Sequence, residues 1–436
     1  MKAKNPPAPK LPKTRTGIAG FDEITQGGLP RGRATLIEGG PGSGKTLMAL
    51  QSLVNGCRLD NEPGIFVAFE ETAVRIEANA SQFGWDLAEL QKKKLFILNA
   101  QPQIDVVQSG DFDLSGMLAA LDGKRREIGA KRIVFDALDI ALTLLPDPAA
   151  EQREVYRLHE WLLERELTAI ITAKAGGSEN QYAIPMQMGF MQFMVDCAVV
   201  LNHRVEQGVS QRNLRVVKYR GSAFAENESP FLIGSNGLEV AGVREMGGPG
   251  EVEPIITTER VSSGVPRLDV MLGGGYYRGA SVLITGFPGT AKSTLSGAFA
   301  EAACRRGEPT VFVSFDSNAG EVVRNLASVN IRLQPMVKKG LLRLISARTI
   351  TDSAEIRFMQ IKRLAEAHHA RCVVIDPISA LGKSGNENIA HPVAVRLIDW
   401  AKSRGITILY TSLLDEPGTQ GAQVECTPLQ VSTIAD

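Results

Sequence analysis

Along the first half of the chain, short apolar runs rich in β-branched residues alternate with amphipathic stretches. The runs are "ATLIEG", "GIFVAFE", "KLFILNA", "RIVFDA", "LTAIITA", "CAVVLN" and "LRVVKY". Each is about five to seven residues long and nearly continuous rather than strictly alternating, which predicts strands buried on both faces. Strands of that kind belong to a parallel sheet covered by helices, so the expected class is α/β.

The second half repeats the first. "TGIAGFDEITQGGLPRGRATLIEGGPGSGKT", from Thr16, and "SGVPRLDVMLGGGYYRGASVLITGFPGTAKS", from Ser263, align without a gap. Asp22 falls with Asp269, Gly32 with Gly279 and Lys45 with Lys292. Farther on, "IFVAFEE" matches "VFVSFDS", "RIVFDAL" matches "CVVIDPI", and "AIITAK" matches "ILYTSL". A period of roughly 240 residues marks a duplicated domain rather than a solenoid. The expected division is a basic, proline-rich disordered arm over 1–14 (a docking segment being the minor alternative), a first domain over 15–242, a linker over 243–256 and a second domain over 257–436. The alignment also sets "VSTIAD", which ends at Asp436, opposite "MQFMVD", which ends at Asp196. After Asp196 the first half continues through two more predicted strands. The sequence is therefore expected to be a fragment whose second domain is truncated.

Each half carries a glycine-rich turn between a predicted strand and a predicted helix. "GGPGSGKT", Gly39 to Thr46, fits G-x-x-x-x-G-K-T. Glycines let the backbone curl so that successive N–H groups face phosphate oxygens; the lysine adds charge, and the Thr46 hydroxyl suits Mg²⁺. The expected nucleotide contacts are Gly39, Gly42, Ser43, Gly44, Lys45, Thr46 and Leu47. In the second copy they are Gly286, Gly289, Thr290, Ala291, Lys292, Ser293 and Thr294. There Ala291 replaces the last glycine: the cradle survives if its φ is negative, and a left-handed residue would cost roughly 1–2 kcal/mol.

Hydrolysis needs a positioned, deprotonated water and an anchored metal ion. Glu70 and Glu71 close the strand "IFVAFEE", on the sheet edge where α/β proteins bind ligands. Adjacent acids at a strand end are often only solvated, but here a cradle precedes them. Asp136, ending "RIVFD", is expected to hold the Mg²⁺ shell with Thr46 and Glu71, as Ser293 would in the second copy. The second-half equivalents are Asp316, Ser317 and Asp376. Aspartate reaches about 1.5 Å less far than glutamate, and serine has no charge, so base catalysis by Asp316 is in doubt. In "VVKYRGS" the alternation of a strand puts Lys218 and Arg220 on one face, flanking Tyr219 and followed by Ser222. They are expected to reach the nucleotide of a neighbouring subunit; the bland alternative is a solvated charged strand.

Composition removes some classes. Lys plus Arg and Asp plus Glu both number 48, so charge gives no reason to expect nucleic acid or an anionic membrane as partner. No apolar run approaches the ~20 residues that span a bilayer. Cys57, Cys197, Cys304, Cys372 and Cys426 form no C-x-x-C pair, which argues against zinc and for buried reduced thiols in a cytoplasmic protein.

Together the lead-in "TGIAGFDEITQGGLPRG", the two cradles, the Glu-Glu pair, "FGWDL", "KYRGS" and the closing Ser432-Thr433 resemble the KaiC family, over about residues 14 to 436. The resemblance implies two tandem RecA-like P-loop NTPase domains and a homohexamer of two stacked rings. It implies ATP with Mg²⁺ at subunit interfaces, hydrolysis served by Glu70 and Glu71, and contacts from Lys218 and Arg220 to the adjacent nucleotide. It also implies that Ser432 and Thr433 accept phosphate from ATP in the second ring, while a KaiB-like protein enters only as a partner the family suggests. Asp316-Ser317 departs from the family's usual two glutamates, so autokinase activity is expected of a full-length form rather than of this fragment. Two other readings stand beside it: a DNA-dependent recombinase-type ATPase, disfavoured by nearly uncharged connections such as "AGGSENQYAIPMQMG", and an ATP-gated scaffold with negligible turnover.

Overall fold

A computed structural model describes residues 11–101, 114–145, 147–175, 186–206, 209–241, 257–347, 353–384, 387–414 and 431–436. The expected linker at 243–256 and Cys426 lie outside them, as do most of 175–189. The chain divides into two compact units, Met1–Arg204 with Gln211–Met246, and Val205–Ser210 with Gly247–Asp436.

In the first unit the strands are β1 Lys13–Thr14, β2 Leu29–Pro30, β3 Ala34–Gly39, β4 Gly64–Ala68, β5 Leu95–Asn99 and β6 Arg132–Asp136. They continue with β7 Thr168–Lys174, β8 Cys197–Glu206, β9 Val209–Tyr219, β10 Ser229–Gly234 and β11 Gly237–Val240. Helices are α1 Phe21–Ile24, α2 Lys45–Leu59, α3 Ala73–Ser81, α4 Leu87–Gln91, α5 Ser115–Ile128, α6 Leu138–Leu142, α7 Pro148–Glu164 and α8 Met186–Met194. The main sheet runs β11-β10-β9-β8-β3-β7-β6-β4-β5. From β8 to β5 the pairing is parallel, as the continuous apolar runs predict. β9 instead pairs antiparallel with β10, and β10 with β11. "LRVVKY" therefore differs from its expected parallel neighbours: Val217 and Lys218 are exposed or half-exposed while Leu214 and Val216 are buried.

Two apolar layers sandwich the sheet. Ile37, Phe66, Val134 and Ile170 face α2 on one side, and Leu36, Val67, Phe135 and Ile171 face α5, α7 and α8 on the other. Residues 11–14, placed by the sequence in the arm, join this unit. Leu11 packs on the first layer, and β1 pairs with β2.

The second unit has β12 Arg260–Val261, β13 Tyr276–Tyr277, β14 Ser281–Gly286, β15 Thr310–Ser314, β16 Leu342–Ser346, β17 Cys372–Asp376 and β18 Thr407–Leu413. Its helices are α9 Pro266–Met271, α10 Lys292–Arg305, α11 Ala319–Ala327, α12 Gln334–Lys338, α13 Ala354–Ala367 and α14 Glu387–Ser403. The sheet is parallel in the order β14-β18-β17-β15-β16, so among the described residues β14, the counterpart of β3, is an edge strand.

The repeat seen in sequence is a repeat of local physics. Asp22 accepts from the amides of Thr16 and Gly17 and from the Thr16 hydroxyl. Asp269 likewise accepts from the Ser263 amide and from the Ser262 and Ser263 hydroxyls. A half-buried carboxylate surrounded by donors shapes the same turn twice.

Candidate nucleotide sites

β3, buried along its length, delivers the chain to the carboxyl edge of the sheet at Gly39. A Cβ there would lie 2.5 Å from Ser43 Oγ and 2.6 Å from Leu201 O, so only glycine fits. Gly42 and Gly44 take φ +68° and +97°, left-handed values that glycine adopts without penalty. Gly44 caps α2, whose first turn holds Lys45, Thr46 and Leu47, the last packed against the α2-side core. Lys45 Nζ donates to Gly39 O at 2.9 Å and to Gly40 O at 3.1 Å, folding the cation back over the loop.

Asp136 ends β6 beside this loop. It accepts from Thr46 Oγ1 at 3.0 Å and from Thr172 Oγ1 at 2.7 Å, while Thr172 Oγ1 accepts from the Ala137 amide. Burial pushes the Asp136 carboxyl up to about 6, opposed by those two hydroxyls and by Lys45. The Lys45 ammonium is itself lowered, first by burial, against the pull of Asp136, Asp139 and Glu70. The donor set is a hydroxyl and a carboxylate oxygen, the hard ligands that suit Mg²⁺.

Glu70 and Glu71 follow β4, whose end is held by the Phe69 amide donating to Asp136 O. Glu70 lies 3.9 Å from Lys174 Nζ and is half exposed, a screened pair of little weight. Glu71 accepts from Asn79 Nδ2 of α3 at 3.2 Å. The structure thus gathers Lys45, Thr46, Glu70 and Asp136 at one edge, with Glu71 turned toward α3.

Lys218, Tyr219, Arg220 and Ser222 are elsewhere. The Arg220 amide donates to Asp196 O, and the Asp196 amide donates to Ala34 O at the start of β3. The six residues of β3, at about 3.3 Å each, span roughly 17–20 Å, so the cation pair stands at the far end from its own cradle. Lys218 Nζ donates to Gln192 O at 2.6 Å, and Arg220 Nη2 donates to Phe193 O at 2.8 Å. Tyr219 OH donates to Gly28 O, and Ser222 Oγ to Ala223 O.

The second unit reproduces the cradle. Gly286 faces Thr290 Oγ1, Gly289 has φ +83°, and Lys292 Nζ donates to Gly286 O and Phe287 O, both at 2.7 Å. Ala291 caps α10 at φ +64° and ψ +22°. The condition of a negative φ is not met; the alanine keeps the curl by accepting the left-handed conformation. Ser293 and Thr294 complete the first turn of α10, and Asp376 ends β17, accepting from Thr411 Oγ1 as Asp136 does from Thr172. Asp316 follows β15, and the Ser317 amide donates to Ser314 Oγ. Ser432 and Thr433, both exposed, open a short 3₁₀ turn, Ser432–Ile434. The turn is tied to the start of β14: Ser281 Oγ donates to Ile434 O, the Asp436 amide to Ser281 O, and Lys402 Nζ to Asp436 Oδ1. Ser432 and Thr433 therefore also sit opposite the cradle of their own unit.

A family model described as "ATPase: KaiC" matches residues 14–245 and again 261–426. The chain belongs to the KaiC family of ATPases. It is 37% identical to the circadian clock protein KaiC2 of Synechocystis sp. over 98% of this chain and 74% of that protein. To the circadian clock oscillator protein KaiC of Parathermosynechococcus lividus it is 33% identical, over 98% of this chain and 77% of that one. For the KaiC of Parasynechococcus marenigrum the figures are 34%, 98% and 82%. Both units are thus RecA-like ATPase domains of this family, joined in tandem.

Sequence reasoning missed three features beside the first cradle. The hairpin β10–β11 brings Ile233 Cδ1 to 3.2 Å from where a Gly44 Cβ would be. Gln51 of α2 clamps that hairpin by bonding both the amide and the carbonyl of Leu238. His203 of β8 stands near Gly42, its Nδ1 3.9 Å from a Cβ built there. The Asn-Gly at the turn between β10 and β11 was the one available signal. Among the described residues no helix is long and apolar enough to cross a membrane.

Proposed function

We propose that this KaiC-family ATPase binds ATP with Mg²⁺ in both units and hydrolyses it mainly in the first. The observation that carries this reading is the gathering of Lys45, Thr46, Glu70 and Asp136 at one sheet edge. Thr46 and Asp136 would hold Mg²⁺, which neutralises phosphate charge when bound, and Glu71 would join them once freed from Asn79. Lys45 would leave its two carbonyls for the β- and γ-phosphates. Glu70, exposed and close to the cradle, would take the proton of the attacking water.

The cation pair supports assembly. Lys218 and Arg220 lie too far from their own cradle to serve it, so they would steady the nucleotide of an adjacent subunit in a homohexamer. The same geometry makes phosphorylation of Ser432 or Thr433 a transfer between subunits, from ATP held by Lys292 and Ser293 of one chain to the hydroxyl of the next. Asp316 would be the acid to assist there, and its short reach would make the second unit a weak autokinase. The names of the relatives suggest a regulatory role of the clock type, with a KaiB-like protein as the partner to try first.

Glu70→Gln combined with Glu71→Gln tests the hydrolytic assignment. ATPase activity should fall at least tenfold while ATP binding persists. Retention of more than half the activity would move turnover to the second unit. A wild-type rate near zero would leave an ATP-gated scaffold, and a rate raised by DNA would favour the recombinase-type reading.

A further inference from the structure

Glu38 is the one acid within β3. It is 4% exposed, and it lies on the face of the sheet that packs against α8, where Ala34, Leu36 and Met191 form the core. One carboxylate oxygen, Oε2, accepts from Gln192 Nε2. The other, Oε1, is buried with no hydrogen-bond partner. Burial raises the Glu38 carboxyl above its usual range, against the amide of Gln192. A buried carboxylate satisfied on one side is unfavourable for stability, and an apolar residue of similar volume would serve the core better. Something other than core stability has to account for it.

Its partner explains its value. Gln192 lies in the last turn of α8, and the carbonyls of that turn seat the two cations: Lys218 Nζ on Gln192 O and Phe193 O, Arg220 Nη2 on Phe193 O. On the other side, Glu38 immediately precedes Gly39, whose carbonyl holds Lys45 Nζ. A single side-chain bridge therefore runs from the strand that ends in the cradle to the turn that aims the cations at the neighbouring subunit. The second unit has Thr285 and Ser432 at the matching positions. Two short hydroxyl side chains cannot span what a glutamate and a glutamine span, and in that unit the same turn carries the proposed phosphate acceptors instead.

We infer that Glu38 and Gln192 are positioning residues for hydrolysis in the first unit: their bridge fixes the last turn of α8 and so the aim of Lys218 and Arg220. The inference rests on the reading that these cations serve an adjacent nucleotide. The two side chains bond each other on the α8 side of the sheet rather than any residue of the glycine-rich loop, so their loss should lower kcat and leave the affinity of the cradle alone.

The test uses the full chain with ATP·Mg²⁺ and four variants, each followed by ATPase rate, nucleotide affinity, mass in solution and thermal unfolding. Gln192→Ala and Glu38→Leu should lower kcat about tenfold with affinity within twofold of wild type, and Glu38→Leu should melt no lower than wild type. Glu38→Gln, whose amide oxygen can still accept from Gln192, should restore most of the rate. An unchanged kcat in both Gln192→Ala and Glu38→Leu overturns the inference, as does a Glu38→Gln variant as slow as Glu38→Leu. The fourth variant, Lys218→Ala with Arg220→Ala, separates the two failures. If it leaves kcat intact, the cation reading falls and takes the inference with it. If it slows turnover and the bridge variants do not, only the inference falls.

Discussion

Ala291→Gly should make the second unit more stable. Alanine at φ +64° and ψ +22° occupies the left-handed region, where a Cβ approaches the following carbonyl at a cost of about 1–2 kcal/mol. Removing the Cβ releases that strain but gives the unfolded chain more freedom, offsetting about 0.4–1 kcal/mol. The net gain is about 1 kcal/mol, which for a unit of this size raises its melting temperature by roughly 2–4 °C. Calorimetry of the variant should show the second unit's transition moving up and the first unit's standing still. Nucleotide affinity should change little, because the strain is present in the free cradle already. The reverse substitution, Gly44→Ala, should lower the first unit's transition by more. There φ is +97°, farther from anything alanine adopts, and the new Cβ would crowd Ile233 Cδ1 at 3.2 Å. If Ala291→Gly leaves its transition in place or lowers it, the left-handed strain is not what distinguishes the two cradles.

Three further outcomes follow from the same geometry. Asp136, raised from 3.8 to about 6 in the folded state, holds a proton there that the unfolded chain has released. The folded state therefore loses stability as pH rises through that window, by up to about 3 kcal/mol at 1.36 kcal/mol per unit. Asp136→Asn should melt higher than wild type at pH 7.5 in the absence of nucleotide, match it near pH 4, and fail to bind ATP·Mg²⁺; equal melting at pH 7.5 would mean the carboxylate is not strained. ATP·Mg²⁺ should drive wild type to a hexamer by light scattering, since a ligand touching two chains stabilises their union, and Lys218→Ala with Arg220→Ala should weaken that assembly; a wild-type monomer at saturating nucleotide refutes the assignment. Mixing Lys292→Ala chains with Ser432→Ala, Thr433→Ala chains should label the hydroxyls of the former if transfer passes between subunits, read by mass spectrometry, whereas labelling by Lys292→Ala chains alone would show a donor other than the second cradle.

The parallel strands and both cradles were legible because their chemistry is local. Continuous apolar runs mark β3 to β7, and glycine spacing with lysine marks the curl between strand and helix. The match of the two halves, its offset shortened by seven residues between the cradles and the later strands, reaches Asp196 and Asp436, whose amides donate to Ala34 O and Ser281 O at equivalent strand starts. What stayed hidden depends on distant residues or on dihedral angles. Residue type alone does not set the φ of Ala291. "LRVVKY" looks like a buried parallel strand because an apolar run does not reveal its partner's direction. The Glu38–Gln192 bridge joins residues far apart in sequence, and no period or motif announces it.

The placement of β3 in the middle of its sheet has a consequence during synthesis. Thr35 finds its neighbours only at Ile170 on β7 and Cys197 on β8. At a translation rate of about 5–20 residues per second, the strand that carries the cradle waits roughly 7 to 27 seconds on the ribosome before either edge is covered. Through that interval "ATLIEG" is an apolar segment with both edges bare, and its contacts are among the most non-local in the unit, the kind that form late. A nascent chain is therefore most exposed to aggregation and to proteases after the cradle has been made and before β7 and β8 emerge to enclose it.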